Sequence, residues 1–190
     1  PFPVPKGEAE QNAGRNYLWS EAEETTRRHR GQILVSTMAR DGDVGQAARL
    51  QVKLVCAACG QDGVLGIYAN GTVYQPEFYL NASQPMEDGE LPLLDLVWMG
   101  LYRREEGLCG YTDGLAAFGK EEIEVLDTQA APGDLHSFLL DLASYVLEED
   151  VTFHDGETIG FTEGQYLPIS RSAGVWHDGM TLKIPYPEEP

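Results

Sequence analysis

Residues 132–149 read Pro-Gly-Asp-Leu-His-Ser-Phe-Leu-Leu-Asp-Leu-Ala-Ser-Tyr-Val-Leu-Glu-Glu, and this stretch decides the fold class. Leu135, Phe138, Leu139, Leu142 and Val146 recur at spacings of three and four, drawing one continuous apolar stripe. That is the period of a helix with a single buried face. Pro132 suits the first turn, where its missing N–H is not needed, and Asp134 complements the positive end of the helix dipole. Glu148, Glu149 and Asp150 crowd the negative end, which is locally unfavourable. A helix with one apolar face needs a layer to cover it, and its neighbours read as strands. Tyr111 to Phe118 and Ile123 to Leu126 precede it, joined near Gly119. Val151-Thr152-Phe153 and Thr158 to Phe161 follow, separated by the turn residues His154-Asp155-Gly156, with Thr181-Leu182-Lys183-Ile184 as a last short strand.

Outward from this core, Leu93 to Arg103 is a long apolar stretch that reads as a central strand. Val64 to Ala69 reads as another strand, and Asn70-Gly71 is a turn signal because both residues tolerate positive φ. Asn70-Gly71-Thr72 also fits a glycosylation pattern, but the turn explains it. Val73 to Leu80 reads as a strand end followed by a helical turn, and residues 81–92 as loop. Asp41 and Asp43 offer caps for a helix over Val44 to Ala58, apolar nearly all round and so expected to pack against a sheet. Gln32-Ile33-Leu34-Val35-Ser36-Thr37-Met38 reads as a buried strand. Trp19 to Arg30 reads as a short helix with Ser20 as N-cap and Glu23 three residues on. Strands outnumber helices, so the expected class is α+β: a single mixed or largely antiparallel sheet with two main helices packed on it. The expected organisation is a flexible Pro- and Glu-rich tail over 1–16, one domain over 17–186 and a disordered tail over 187–190.

Length and charge bound the function. The chain has 190 residues, 42% hydrophobic, enough for one real core. Its 13 Lys plus Arg stand against 31 Asp plus Glu, a formal net charge of -18. Phosphate backbones and anionic membranes attract cations, so neither nucleic acid nor a membrane is expected as a partner. The imbalance is uneven: residues 1–53 hold a net of +1 and residues 54–190 a net of -19. Between Glu121 and Ser170 there are 12 acids and no Lys or Arg. Such self-repulsion opposes compaction and favours attraction of a basic partner. Three cysteines do not describe a secreted disulfide framework, and no run approaches a membrane span, so a cytoplasmic location is expected.

The residues capable of chemistry form no recognisable catalytic set. Cys56-Ala57-Ala58-Cys59 is a C-x-x-C, but a zinc site needs two more ligands and Cys109 stands alone. Apolar packing of the thiols is the simpler expectation. His29, His136, His154 and His177 read as turn or surface residues, with His136 off the apolar stripe and facing solvent. Gly60-Gln61-Asp62-Gly63-Val64-Leu65-Gly66 is glycine-rich, yet it follows a helix and enters a strand, the reverse of a phosphate-cradling loop. Acid pairs such as Glu105-Glu106 and Glu121-Glu122 lack a calcium-loop pattern. Trp98 reads as core. Trp176 lies in the glycine-rich stretch 172–179, where an aromatic ring can anchor an interface or pack on its own domain. No catalytic residue, metal ligand or cofactor is expected.

Several stretches resemble the bacterial family catalogued as domain of unknown function 4261. They are Arg27-Arg28-His29-Arg30 running into Ile33-Leu34-Val35-Ser36, and Gly66-Ile67-Tyr68 before Val73 to Phe78. Stronger are Tyr111-Thr112-Asp113-Gly114-Leu115-Ala116-Ala117-Phe118-Gly119 with Glu121 to Glu124, Phe138 to Leu147, and Asp155-Gly156-Glu157-Thr158-Ile159-Gly160. The resemblance covers roughly residues 17–184. It implies an immunity protein that neutralises a basic effector toxin, a DNase delivered by a type VI secretion system, by occluding or distorting its active site. The residues expected to meet that toxin are Asp41, Asp43, Glu87, Asp88, Glu90, Glu105, Glu106, Glu148 and Glu149, with Trp176 as an anchor. The alternatives are an acidic scaffold or regulatory protein-binding module, and an enzyme with a carboxylate or thiol site.

Overall fold

The computed structural model describes residues 7–39 and 42–187. The chain divides into two compact units, residues 1–98 and 99–190, where the sequence predicts one domain.

In the first unit, helices α1 (Glu8–Ala13) and α2 (Ala22–Arg27) pack on a hairpin of β1 (Ile67–Ala69) and β2 (Thr72–Tyr74). Ala13, Ala22 and Val73 form a buried cluster with Trp19 against it. The tail expected over 1–16 therefore differs from Glu8 onward. Asn16 Nδ2 donates to the Val73 carbonyl at 2.8 Å, and Asn12 Nδ2 to the Tyr68 hydroxyl at 2.9 Å, tying α1 to the hairpin. Helix α2 forms as expected, but Glu21 and not Ser20 occupies the N-cap, and no side chain caps it. The hairpin turns at Asn70 (φ 48°) and Gly71 (φ 65°), the paired left-handed residues of a type I′ turn.

Helix α3 spans Val44–Cys59, and the Asp43 carboxylate caps it by accepting from the Gln46 N–H at 2.8 Å. It packs on α4 (Pro76–Ala82), not on a sheet, and Val52 is its one buried residue. A 3₁₀ turn (Gln84–Asp88) follows within the predicted loop, then α5 (Leu93–Leu96). The strand predicted over Leu93 to Arg103 is thus split. The strand predicted over Gln32 to Met38 is not formed beyond an isolated bridge at Gln32, and Ile33, Leu34 and Met38 are exposed. β-Propensity is a weak prior, and pairing partners decide whether such a segment joins a sheet.

The second unit is a five-stranded mixed sheet in the order β3 (Trp98–Arg103), β4 (Leu108–Asp113), β5 (Ile123–Thr128), β9 (Met180–Lys183), β8 (Ser170–Ala173). β5 and β9 run parallel, while β4–β5 and β8–β9 are antiparallel. The apolar strand β3 is an edge, not the centre. Helix α6 (Pro132–Glu148) carries the predicted stripe, and Leu135, Phe138, Leu139, Leu142 and Val146 are all buried as it packs over β4. Burial of such side chains stabilises by about 1.5–3 kcal/mol each. Thr158–Ile159 (β6) and Leu167–Pro168 (β7) form a small separate pair. Among the described residues the architecture is α+β, with one main mixed sheet, two smaller sheets and six α-helices. Among the described residues no helix is long and apolar enough to cross a membrane.

Candidate functional site

Three of the four residues entering β5 are glutamates, and each carboxylate holds a different segment. Glu121 takes a bidentate ion pair from Arg171 on β8, with Nε at 2.7 and 2.9 Å from its two oxygens. Glu122 accepts from the Thr112 hydroxyl at 2.7 Å and from the Gly114 and Ala116 N–H groups at 2.9 Å each. It thereby fixes the 3₁₀ turn Leu115–Phe118 where part of a strand was predicted. Glu124 is fully buried. Its carboxylate accepts from the backbone N–H groups of Val175 (2.9 Å), Trp176 (3.0 Å) and His177 (3.2 Å), and Lys183 Nζ lies 3.4 Å away. Burial alone pushes a carboxyl upward in pKa. Here the N–H donors and the Lys183 ammonium outweigh it and hold Glu124 below the usual carboxylate range.

The loop so clamped, residues 174–179, closes by a bond from the Gly174 N–H to the Gly179 carbonyl at 2.7 Å. Gly174 is required there, because a Cβ would fall 2.2 Å from the His177 carbonyl oxygen. The loop presents its rings inward. Trp176 stacks on Tyr111 with centroids 4.3 Å apart and contacts Tyr102 at 5.0 Å. Tyr111 lies over Gly100, where a Cβ would meet its Cζ at 2.0 Å. His177 Nε2–H donates to the Thr112 carbonyl at 2.7 Å, and its ring meets Tyr111 edge-on. Trp176 is thus half-buried and committed to its own unit through its ring. Glu124 is enclosed by donors, so its chemistry is that of a structural acceptor.

The remaining acids are arranged differently. Residues 99–190 hold 18 acids and 5 bases. Arg104 lies 3.6 Å from Asp127, Lys120 pairs with Asp150 at 2.7 Å, and Arg171 and Lys183 serve Glu121 and Glu124. Four of the five cations are therefore used internally. On α6, Asp134, Asp141 and Glu148 are exposed at spacings of seven, which places them on one line along the helix. Exposed Tyr145 lies beside that line, stacked on Phe153. Among the described residues none of these three acids has an ion pair; Glu148 accepts from the Ser144 hydroxyl at 2.6 Å.

The predicted contact acids are divided between the two units. Asp41 lies outside the described residues. Asp43 is the α3 cap, and Glu87, Asp88 and Glu90 are exposed around the 3₁₀ turn of the first unit. Glu105 and Glu106 occupy the turn between β3 and β4, next to where β5 ends and α6 begins; Gln129 Nε2 donates to the Glu106 carbonyl. Glu148 and Glu149 sit at the far end of α6, near Lys120 before β5. The two pairs thus mark opposite ends of the second unit. Asp134 and Asp141 are not among the predicted contact acids, although their seven-residue spacing to Glu148 is legible in the sequence.

Cys56 and Cys59 are half-buried free thiols whose pKa is raised by burial. Among the described residues no group of three His, Cys, Asp or Glu could hold a metal ion. His154 sits in the predicted turn, where the Glu157 N–H donates to its carbonyl at 3.2 Å. His136 is half-buried, not solvent-facing, and burial lowers its pKa. Trp98 is core as expected, edge-on to Tyr74 at 5.7 Å. Asp95 on α5 is 3% exposed with neither carboxylate oxygen hydrogen-bonded, and burial raises its pKa to about 8.

No curated protein and no solved structure matches the chain. The family match is narrower than the resemblance read along residues 17–184 and falls wholly within the second unit. Residues 111–185, which hold the three-glutamate entry to β5, helix α6 and the aromatic loop, match the family described as Domain of unknown function (DUF4261).

Proposed function

We propose that this chain is an immunity protein that binds and neutralises a basic effector toxin, a nuclease delivered by a type VI secretion system, using the acidic side of α6. The observation that carries the reading is the division of labour among the carboxylates. Glu121, Glu122 and Glu124 are consumed by the fold, while Asp134, Asp141 and Glu148 align on exposed helix without a cation. The line runs over about 21 Å of helix, from 14 residues at about 1.5 Å each. The fold gains little from Asp141 and Glu148, because only Asp134 lies at the positive end of the helix dipole and Glu148, in the last turn, opposes it. A cationic partner removes that opposition. The stripe steers the partner into contact, and Tyr145 beside it supplies a rigid aromatic surface for the slow dissociation step. Inhibition then follows by occlusion of the toxin's active cleft or its DNA-binding face.

The test is co-expression with a basic nuclease effector of a type VI secretion system from the same source genome. Wild type is expected to restore growth. In vitro, the triple variant D134N/D141N/E148Q is expected to lower the on-rate about tenfold near 0.05 M salt, with the difference closing near 0.5 M. E87Q/D88N, altered in the first unit, is expected to retain the wild-type rate. An unchanged rate in the triple variant removes α6 as the contact face. Failure of the wild-type chain to protect refutes the immunity reading.

A further inference from the structure

The cluster Arg27-Arg28-His29-Arg30 has no part in that function. Arg28 and Arg30, with Gly63 and Leu65, line an open cavity of about 560 Å³ in the first unit. Arg28 is the C-cap of α2, and the chain beyond it leaves the helix. The neighbouring side chains turn elsewhere. Arg27 is turned back to an ion pair with Glu23, and His29 Nδ1 sits 2.5 Å from the Thr26 carbonyl, 4.0 Å from Glu10. Neither Arg27 nor His29 lines the cavity.

Two features make the place unusual for this chain. With 31 acids against 13 bases, a carboxylate is the commonest charged neighbour available. Yet among the described residues Arg28 and Arg30 form no ion pair, and no acid lines the cavity, although Asp62 is adjacent in sequence to Gly63. Two cationic side chains lining one cavity repel each other unless an anion lies between them, and each guanidinium offers a planar fork that matches an oxyanion. The volume falls within the range of small-molecule sites, and Leu65 supplies an apolar wall.

We propose that this cavity binds a small ligand through an oxyanion group, a phosphate or a carboxylate, held between Arg28 and Arg30. The site is independent of the α6 surface and of the immunity reading. The test is NMR titration of the full chain with inorganic phosphate in one arm and citrate in the other, at constant ionic strength set by chloride. Saturable shifts of the Arg28 and Arg30 side-chain Nε–H signals by either anion are expected, and the arm that saturates identifies the oxyanion. R28Q/R30Q is expected to weaken that binding at least about tenfold, whereas R27Q leaves it within twofold. Both substituted side chains are exposed, so the thermal transition of the double variant serves as the folding control. Shifts that track ionic strength, that fail to saturate in both arms, or that are lost equally in R27Q overturn the proposal.

Discussion

Replacing Glu124 by Gln tests the claim that a buried carboxylate holds the aromatic loop. In the wild type one oxygen accepts from the N–H groups of Val175, Trp176 and His177, and the other accepts from Val175 and faces the Lys183 ammonium. Gln keeps one acceptor but puts an NH2 donor where the second oxygen stood. That donor then opposes an N–H and an ammonium in a buried site. Losing the charge-assisted bonds and leaving Lys183 uncompensated costs about 2–4 kcal/mol. Glu124→Ala removes every acceptor and is expected to reach about 3–5 kcal/mol. Denaturant unfolding followed by near-ultraviolet circular dichroism reads the stacked Trp176–Tyr111 pair directly, and hydrogen exchange reads the three loop amides. The pH dependence gives an independent sign. Glu124 is held below its ordinary pKa, so its contribution is complete above the usual carboxylate range and is lost as pH falls through the depressed value. The Gln variant is expected to lack that acid limb. An E124Q chain within about 0.5 kcal/mol of wild type, with the 175–177 amides equally protected, refutes the clamp.

Asp95 carries the opposite sign. Its folded pKa of about 8 lies above the unfolded carboxyl value, so the folded state keeps a proton that the unfolded chain releases. Stability of the first unit should therefore be full below about pH 4 and fall towards pH 8, with a slope approaching 1.4 kcal/mol per pH unit. Asp95→Asn should flatten that slope in thermal melts across this window; an unchanged slope would remove Asp95 as its source. Gly100→Ala forces the Tyr111 ring aside and is expected to cost about 1–3 kcal/mol while weakening the Trp176 near-ultraviolet signal, a signal that stays intact if the ring is free to shift. Leu142→Ala, at the centre of the buried α6 stripe, is expected to cost about 2–5 kcal/mol by chemical denaturation, and a loss under 1 kcal/mol would mean the helix is not seated on β4.

The parts of the fold legible in the sequence are those in which one residue's chemistry suffices. The α6 stripe declares its own period. Asp43 caps α3 through its own side chain, and Asn70-Gly71 turns the hairpin because both residues sit at positive φ. What failed depends on a partner distant in sequence. Gln32 to Met38 has the composition of a buried strand, but composition does not supply a neighbouring strand, and Ile33, Leu34 and Met38 stand exposed. Leu93 to Arg103 is apolar apart from Asp95 and Arg103, so periodicity does not mark the break between α5 and β3 at Val97. Strand β8, Ser170 to Ala173, has four exposed polar or small residues and joins the sheet through its backbone ladder to β9 alone.

The acids show the same limit most sharply. Counting charge treats Glu121, Glu122, Glu124, Asp141 and Glu148 as equivalent, and the structure separates them by what each oxygen touches. The signal for Glu124 lies in its neighbours: it stands between Ile123 and Val125, both fully buried, and its register partner across the parallel ladder is Lys183. A charge in a β-branched run needs a counter-charge and donors, because a bare buried carboxylate costs more than a short strand returns. Asp134, Asp141 and Glu148 carry the opposite logic. They lie beside a buried stripe that would form without them, and of the three only Asp134, in the first turn, has its charge used by the helix dipole. Carboxylates that the fold requires are therefore poor choices for a contact surface, since a partner that engaged them would compete with the structure. Those that the fold does not require, on a rigid helix and without cations, are the ones whose charge is free to serve another molecule.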